Sequence, residues 1–153
     1  AATAICVQAA LDGLKEIRVF NIKDQFYGRL EKLTANITAR TSCKVTLHDL
    51  SDERALYDSI ETSDILTNGT SVGMAPNTDA CLIKNTDVFR KELIVSDVIY
   101  NPEQTKLLKL ASEKGCPTFN GLYMLLYQGA AAFKIWTGQD MPVDIIKEKY
   151  FTR

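Results

Sequence analysis

The residues of this chain able to do chemistry collect at the carboxyl ends of short apolar runs. Asp24 is the polar end of the run at residues 17–24, just past the strand itself, where a dinucleotide-binding fold sets an acid to accept hydrogen bonds from an adenosine ribose. An acid there also suits the cap of the next helix, so spacing leaves both readings open. Lys23 beside it offers a charge to a phosphate. The loop Asn68-Gly-Thr-Ser-Val-Gly-Met has glycines that let a backbone approach a flat ligand, although an ordinary surface loop has the same composition. Tyr100 ends another run and reads either as a ligand hydrogen-bond donor or as a half-buried ring with a wet tip. Gln128 falls on an otherwise apolar helical face, where a buried amide needs partners; an exposed glutamine is the alternative. His48, the one histidine, reads as structural or exposed in or near a strand end.

These positions need a scaffold, and the run at residues 93–102, Leu-Ile-Val-Ser-Asp-Val-Ile-Tyr-Asn-Pro, organises it. It begins with the β-branched apolar residues of a strand buried on both faces and stops at Asn101-Pro102, since proline cannot donate to a ladder. Runs at 17–24, 45–49, 65–69 and 118–120 share the plan of an apolar body and a polar end. In an open parallel sheet, ligands bind beyond the strands' carboxyl ends. Between the runs, residues 1–11 read as a well-buried helix ended by Gly13. Phe26, Leu30, Leu33 and Ile37 mark an amphipathic helix. Ser51 or Asp52 caps a helix through Ala55, Leu56 and Ile60. The stretch to about Asn85 is a loop, with a short helical piece near 87–91. A helix at 103–114 points Leu107, Leu108 and Ala111 inward and ends at Gly115. The helix at 121–136 has Leu122, Leu125, Leu126, Gly129 and Phe133 on one side, and Pro142 suits the first turn of a closing helix at 143–151. Strands alternating with helices imply an α/β fold with a doubly wound, parallel, Rossmann-like sheet.

Composition bounds the class. The 153 residues are 46% hydrophobic and 24% charged with a net charge of -1, as in one soluble globular domain, with no basic field for nucleic acid or an anionic membrane. No apolar run spans a bilayer and no signal peptide opens the chain. Cys6, Cys43, Cys81 and Cys116 form no Cys-x-x-Cys pair, so reduced thiols and no metal are expected. The chain opens without a methionine in what reads as mid-helix and looks cut, and no glycine fingerprint precedes Asp24.

In order along the chain stand Asp64-Ile-Leu-Thr-Asn-Gly-Thr-x-Val-Gly-Met, Ser96-Asp-Val-Ile-Tyr-Asn-Pro-x-x-Thr-Lys-Leu-Leu, Asn120-Gly-Leu-x-Met-Leu-Leu-Tyr-Gln-Gly-Ala and Trp136-Thr-Gly. These resemble the carboxy-terminal cofactor domain of shikimate dehydrogenases over essentially the whole chain. Phe20-Asn-Ile-Lys-Asp-Gln-Phe narrows the resemblance to the quinate/shikimate branch, whose members often accept NAD as well as NADP.

The resemblance implies NAD(P)-dependent hydride transfer between shikimate, or quinate, and its dehydro form. It implies cofactor contacts at Ala1, Asn21, Ile22, Lys23, Asp24, Ser71, Val98, Ile99, Tyr100, Asn101 and Gly121, and substrate contacts at Gln128 and Tyr100. Ser71 stands where the branch often has a lysine. Ile22 replaces an arginine that would lie on the adenine, which with Asp24 points to NAD as the preferred cofactor over NADP. The family's catalytic lysine–aspartate pair lies in an amino-terminal substrate domain, so no catalytic residue is expected here. By the same resemblance residues 1–138 correspond to the cofactor domain and 139–153 to its closing helix, with the domain's first strand and most of its glycine-rich loop expected upstream of Ala1. A cytoplasmic location and a homodimer follow from the same resemblance. Two rivals are another nicotinamide enzyme, such as a folate dehydrogenase, which the Tyr-Asn-Pro and Leu-Tyr-Gln-Gly segments oppose, and a non-enzymatic metabolite-sensing regulator that retains the domain.

Overall fold

The computed structural model describes residues 1–151, so the last two residues of the closing segment lie outside the described residues. The chain divides into two compact units, Ala1–Ser63 and Asp64–Arg153. In the first, helix α1 (Ala2–Leu11) precedes strand β1 (Glu16–Asn21), helix α2 (Tyr27–Arg40), strand β2 (Lys44–Asp49) and helix α3 (Glu53–Glu61). β1 and β2 pair in parallel from Glu16 against Lys44 to Asn21 against Asp49. A core of Ala10, Ile37, Cys43 and Val45, with Cys6, Ile17, Val19 and Leu33 packed on it, joins α1 and α2 to this pair. The Arg18 guanidinium donates to the Ser59 carbonyl at 3.3 Å and the Thr62 hydroxyl at 2.7 Å, tying β1 to the end of α3.

α1 ends as its glycine predicts. Gly13 has a φ of 94°, and the amides of Gly13 and Leu14 return to the carbonyls of Ala10 and Ala9, satisfying the last turn. The expected burial of this helix is not observed: only Ala10 is buried, and Leu11 is 64% exposed. Apolar residues encircle α1, but only the stripe with Cys6 and Ala10 meets the core. Phe26 also departs from the expected inward stripe. α2 starts after it, so Phe26 precedes the first turn and is exposed, while Ile37 is buried.

In the second unit, β3 (Ile65–Asn68), β4 (Ile94–Asp97) and β5 (Thr118–Phe119) form a parallel sheet in that order, with helices α4 (Lys106–Glu113), α5 (Leu122–Thr137) and α6 (Val143–Tyr150). β4 is the central strand expected. Leu93 and Val95 are fully buried and Ser96 and Asp97 nearly so. α4 covers β4 and β5 with Leu107, Leu108 and Ala111, all buried as the periodicity predicts. It begins at Lys106 rather than 103, because Thr105 holds an extended backbone and its hydroxyl accepts from the Leu108 amide. The helical piece before β4 is a single 3-10 turn at Thr86–Val88. Asn85 draws its start forward by accepting from the Asp87 amide. Pro142 stands at the N-cap of α6, one position ahead of the first turn expected.

Each unit thus carries its own parallel sheet, of order β1-β2 in the first and β3-β4-β5 in the second. Among the described residues, β1 pairs only with β2, and β3 only with β4. Among the described residues no helix is long and apolar enough to cross a membrane.

Candidate functional site

In the first unit the polar end of β1 opens into a concavity of about 430 Å³ lined by Thr3, Asn21, Asp24, Phe26, Arg29, Leu30 and Leu33. The structure thus brings together two residues predicted for the site, Asn21 and Asp24, with an apolar wall of Phe26, Leu30 and Leu33. Asp24 Oδ1 accepts from the Phe26 amide at 2.9 Å. The capping reading is not observed, since the N-cap of α2 is Phe26 and carries no side-chain bond; the carboxylate instead fixes the turn ahead of the helix while lining the concavity. Asn21 donates to the Ile22 carbonyl at 2.9 Å. Ile22 and Lys23 are exposed outside this lining. Lys23 is held sideways, 3.4 Å from Asp49 Oδ2 and 6.0 Å from the Tyr27 ring centroid. The Ser51 amide and hydroxyl, then Lys23, keep the Asp49 carboxyl below its usual range. Ala1 is exposed ahead of α1. His48 stacks on Phe20 across the ladder, ring centroids 4.9 Å apart, and shares a 2.9 Å hydrogen bond with Thr46, a structural placement.

In the second unit the ends of β3 and β4 are joined by a buried polar network. Asn68 Nδ2 donates to both carboxylate oxygens of Asp97 at 3.1 Å and to the Val72 carbonyl. Asp97 also accepts from the Ile99 amide at 3.0 Å and the Thr105 hydroxyl at 2.8 Å. Asn68 Oδ1 takes the Thr70 amide and hydroxyl. One carboxylate thereby fixes the loop after β3 and the turn after β4. Residues 98–101, predicted at the nicotinamide end, leave β4 through this clamp. Asn68, Asp97 and Thr105 were not among the predicted site residues. A buried acid and amide at adjacent strand ends were the available signal, and Thr105 gave none.

Gly121 completes this corner. Its amide donates to the Ile99 carbonyl at 3.0 Å, and a Cβ on it would overlap the Val98 carbonyl. Val98, Ile99 and Gly121 are therefore brought together. Asn120 holds the approach, accepting from the Leu122 amide and donating to the Glu103 carbonyl. Tyr100 and Asn101 are exposed beyond it. On α5 only Leu126 is buried, and Gln128 is exposed rather than sunk in an apolar face. Ser71 is exposed on its loop, while Gly73 has a φ of 96° and little room beside the Ala80 carbonyl. A second concavity of about 430 Å³, lined by Thr78, Asp79, Pro102, Gln104, Thr105, Lys106, Lys109, Leu110 and Glu113, holds none of the predicted site residues.

The cysteines are all free, and burial pushes each thiol above its usual range, so none is activated as a thiolate. Among the described residues no group of three or more His, Cys, Asp or Glu is placed to hold a metal ion.

Parallel strands crossed by helices, with polar clusters at the carboxyl ends, define a Rossmann-like α/β protein. The family described as the shikimate 5'-dehydrogenase C-terminal domain matches residues 121–149. A shikimate dehydrogenase (NADP(+)) of Listeria monocytogenes is 54% identical over 151 residues, 99% of this chain and 52% of the relative. The crystal structure of shikimate 5-dehydrogenase from Listeria monocytogenes, in complex with shikimate and NAD, aligns with a TM-score of 0.91 at 55% identity, over 97% of this chain and 51% of that one. Quinate dehydrogenase from Corynebacterium glutamicum, in complex with NAD, aligns with a TM-score of 0.82 at 26% identity, over 97% and 50%. Along nearly its whole length this chain is similar to shikimate dehydrogenases, and it spans about half the length of the curated relatives it matches.

Proposed function

We propose that this chain is the cofactor-binding part of an NAD(P)-dependent oxidoreductase that interconverts shikimate, or quinate, and its 3-dehydro form. The observation that carries this reading is the concavity at the end of β1, where an apolar wall meets a carboxylate and an amide. That combination suits adenosine: Phe26, Leu30 and Leu33 offer contact to a flat base, and Asp24 offers an acceptor to ribose hydroxyls. In the second unit, Gly121 and the Val98 carbonyl form a fixed backbone wall, which supports assigning these residues to the nicotinamide. When bound, the nicotinamide supplies the hydride acceptor or donor. This chain's residues orient it; the acid–base pair belongs to the amino-terminal substrate domain that the resemblance implies. The test is turnover by the full-length protein carrying this chain, given shikimate or quinate with NAD or NADP. Reduced nicotinamide should accumulate. Binding of both ligands without turnover would favour a metabolite-sensing regulator instead.

Cofactor choice follows from Asp24. A carboxylate accepts from a 2′-hydroxyl and repels a 2′-phosphate, so NAD is the preferred cofactor and NADP the poorer one. Asp24→Ala should lower kcat/KM for NAD about tenfold, the loss of one charge-assisted hydrogen bond, and lower that for NADP less. Steady-state kinetics with both cofactors checks this; an equal fall for both would remove Asp24 from the ribose.

Gln128 is assigned to the substrate's hydroxyl groups, consistent with its exposed amide. Gln128→Ala should raise the KM for shikimate or quinate about fivefold, from a lost neutral hydrogen bond of about 1 kcal/mol, and leave cofactor binding unchanged. Unchanged substrate kinetics in a folded variant would take Gln128 out of the site.

A further inference from the structure

The concavity at the end of β1 holds a charge that the adenosine reading leaves unused. Arg29 lies in the first turn of α2 and lines it together with Asp24, Asn21 and Thr3. It is the only basic residue of that lining. Among the described residues no ion pair or side-chain hydrogen bond engages its guanidinium, whereas Lys23, nearer in sequence to Asp24, is drawn to Asp49 at 3.4 Å. The exposed Ile22 brings no charge. An exposed guanidinium facing a concavity suits a phosphate, because its planar fork of donors matches phosphate oxygens two at a time.

We infer that Arg29 is the residue that admits a 2′-phosphorylated adenosine to this site, its guanidinium taking the phosphate that Asp24 repels. The inference rests on the adenosine reading above and deepens it. Asp24 and Arg29 then act as opposed selectors in one concavity, the carboxylate for a ribose hydroxyl and the guanidinium for a ribose phosphate. Cofactor choice becomes a balance of two side chains rather than the property of one.

Calorimetric titration of the full-length protein tests this with two probes, adenosine 2′,5′-bisphosphate and AMP, which differ only in the 2′-phosphate. Arg29→Gln should weaken the bisphosphate about tenfold and AMP by less than about twofold, as expected for loss of a charge-assisted contact to one probe only. Arg29→Lys should recover part of the affinity as a point charge. Arg29 is exposed and glutamine is a good helix former, so the variant should melt with wild type. Unchanged bisphosphate affinity in Arg29→Gln, or an equal loss for both probes, would overturn the role of Arg29 while leaving the adenosine site standing. If folded wild type bound neither probe, the adenosine reading would fail, and this inference with it.

Discussion

Replacing Gly121 by alanine is expected to destabilise the protein by about 3–4 kcal/mol, at the upper end of what overpacking costs. The added Cβ would overlap the Val98 carbonyl, which is backbone and cannot rotate aside. To make room, α5 must draw back from β4, and the hydrogen bond from the Gly121 amide to the Ile99 carbonyl must lengthen. Gly129, two turns along the same helix, is the control. Nothing lies within 4 Å of a Cβ built there, so Gly129→Ala should be neutral or stabilise by up to about 1 kcal/mol through helix propensity. Denaturant unfolding of both variants measures the contrast. Equal stabilities would mean that α5 does not start against Val98 as described.

The second large effect is expected at Asp97. Asp97→Ala removes the acceptor of the Asn68 amide, the Thr105 hydroxyl and the Ile99 amide, all in buried residues. Buried donors left unpaired cost about 1–3 kcal/mol each, and some will relax toward water, so a net loss of about 3–5 kcal/mol is expected. Asp97→Asn keeps the shape and one acceptor oxygen and should fall between the two. The loops at 69–73 and 98–105 should gain amide hydrogen exchange in both variants, because the carboxylate is their common anchor. A loss below about 1 kcal/mol for Asp97→Ala would show that the network is not a stabilising unit.

Much of the scaffold was legible because local signals agreed with the tertiary result. The apolar residues from Leu93 to Val95 announced a strand covered on both faces. Gly13 and Gly115 marked helix ends, and both take a positive φ there. Asp52 capped α3 as one of two candidates, accepting from the Ala55 amide. What was not legible depends on packing between segments distant in sequence. The apolar circumference of α1 said nothing about which stripe would be covered. Thr105 looked like an ordinary residue inside a helix until Asp97, eight positions earlier, took its hydroxyl and made it a cap. The spacing that grouped Phe26 with Leu30 and Leu33 could not show that α2 begins after Phe26. That start leaves the ring on the wall of a concavity rather than in a core.

Within the candidate site, Asp24 is signalled by its place at a polar strand end, where parallel sheets meet ligands, whereas Asn21, Val98 and Asn101 rest on the family resemblance. Arg29 was invisible to that rule because it sits on a helix, and its relevance comes only from the surface it shares with Asp24.

The central claim is that the polar ends of these strands hold a nicotinamide dinucleotide. The most direct measurement is a crystal structure of the full-length protein grown with NAD. The account predicts the adenine against Phe26, Leu30 and Leu33, the Asp24 carboxylate on a ribose hydroxyl, and the nicotinamide against the backbone of Val98 and Gly121. A dinucleotide bound elsewhere, or one whose adenosine ribose makes no contact with residues 21–24, would contradict it.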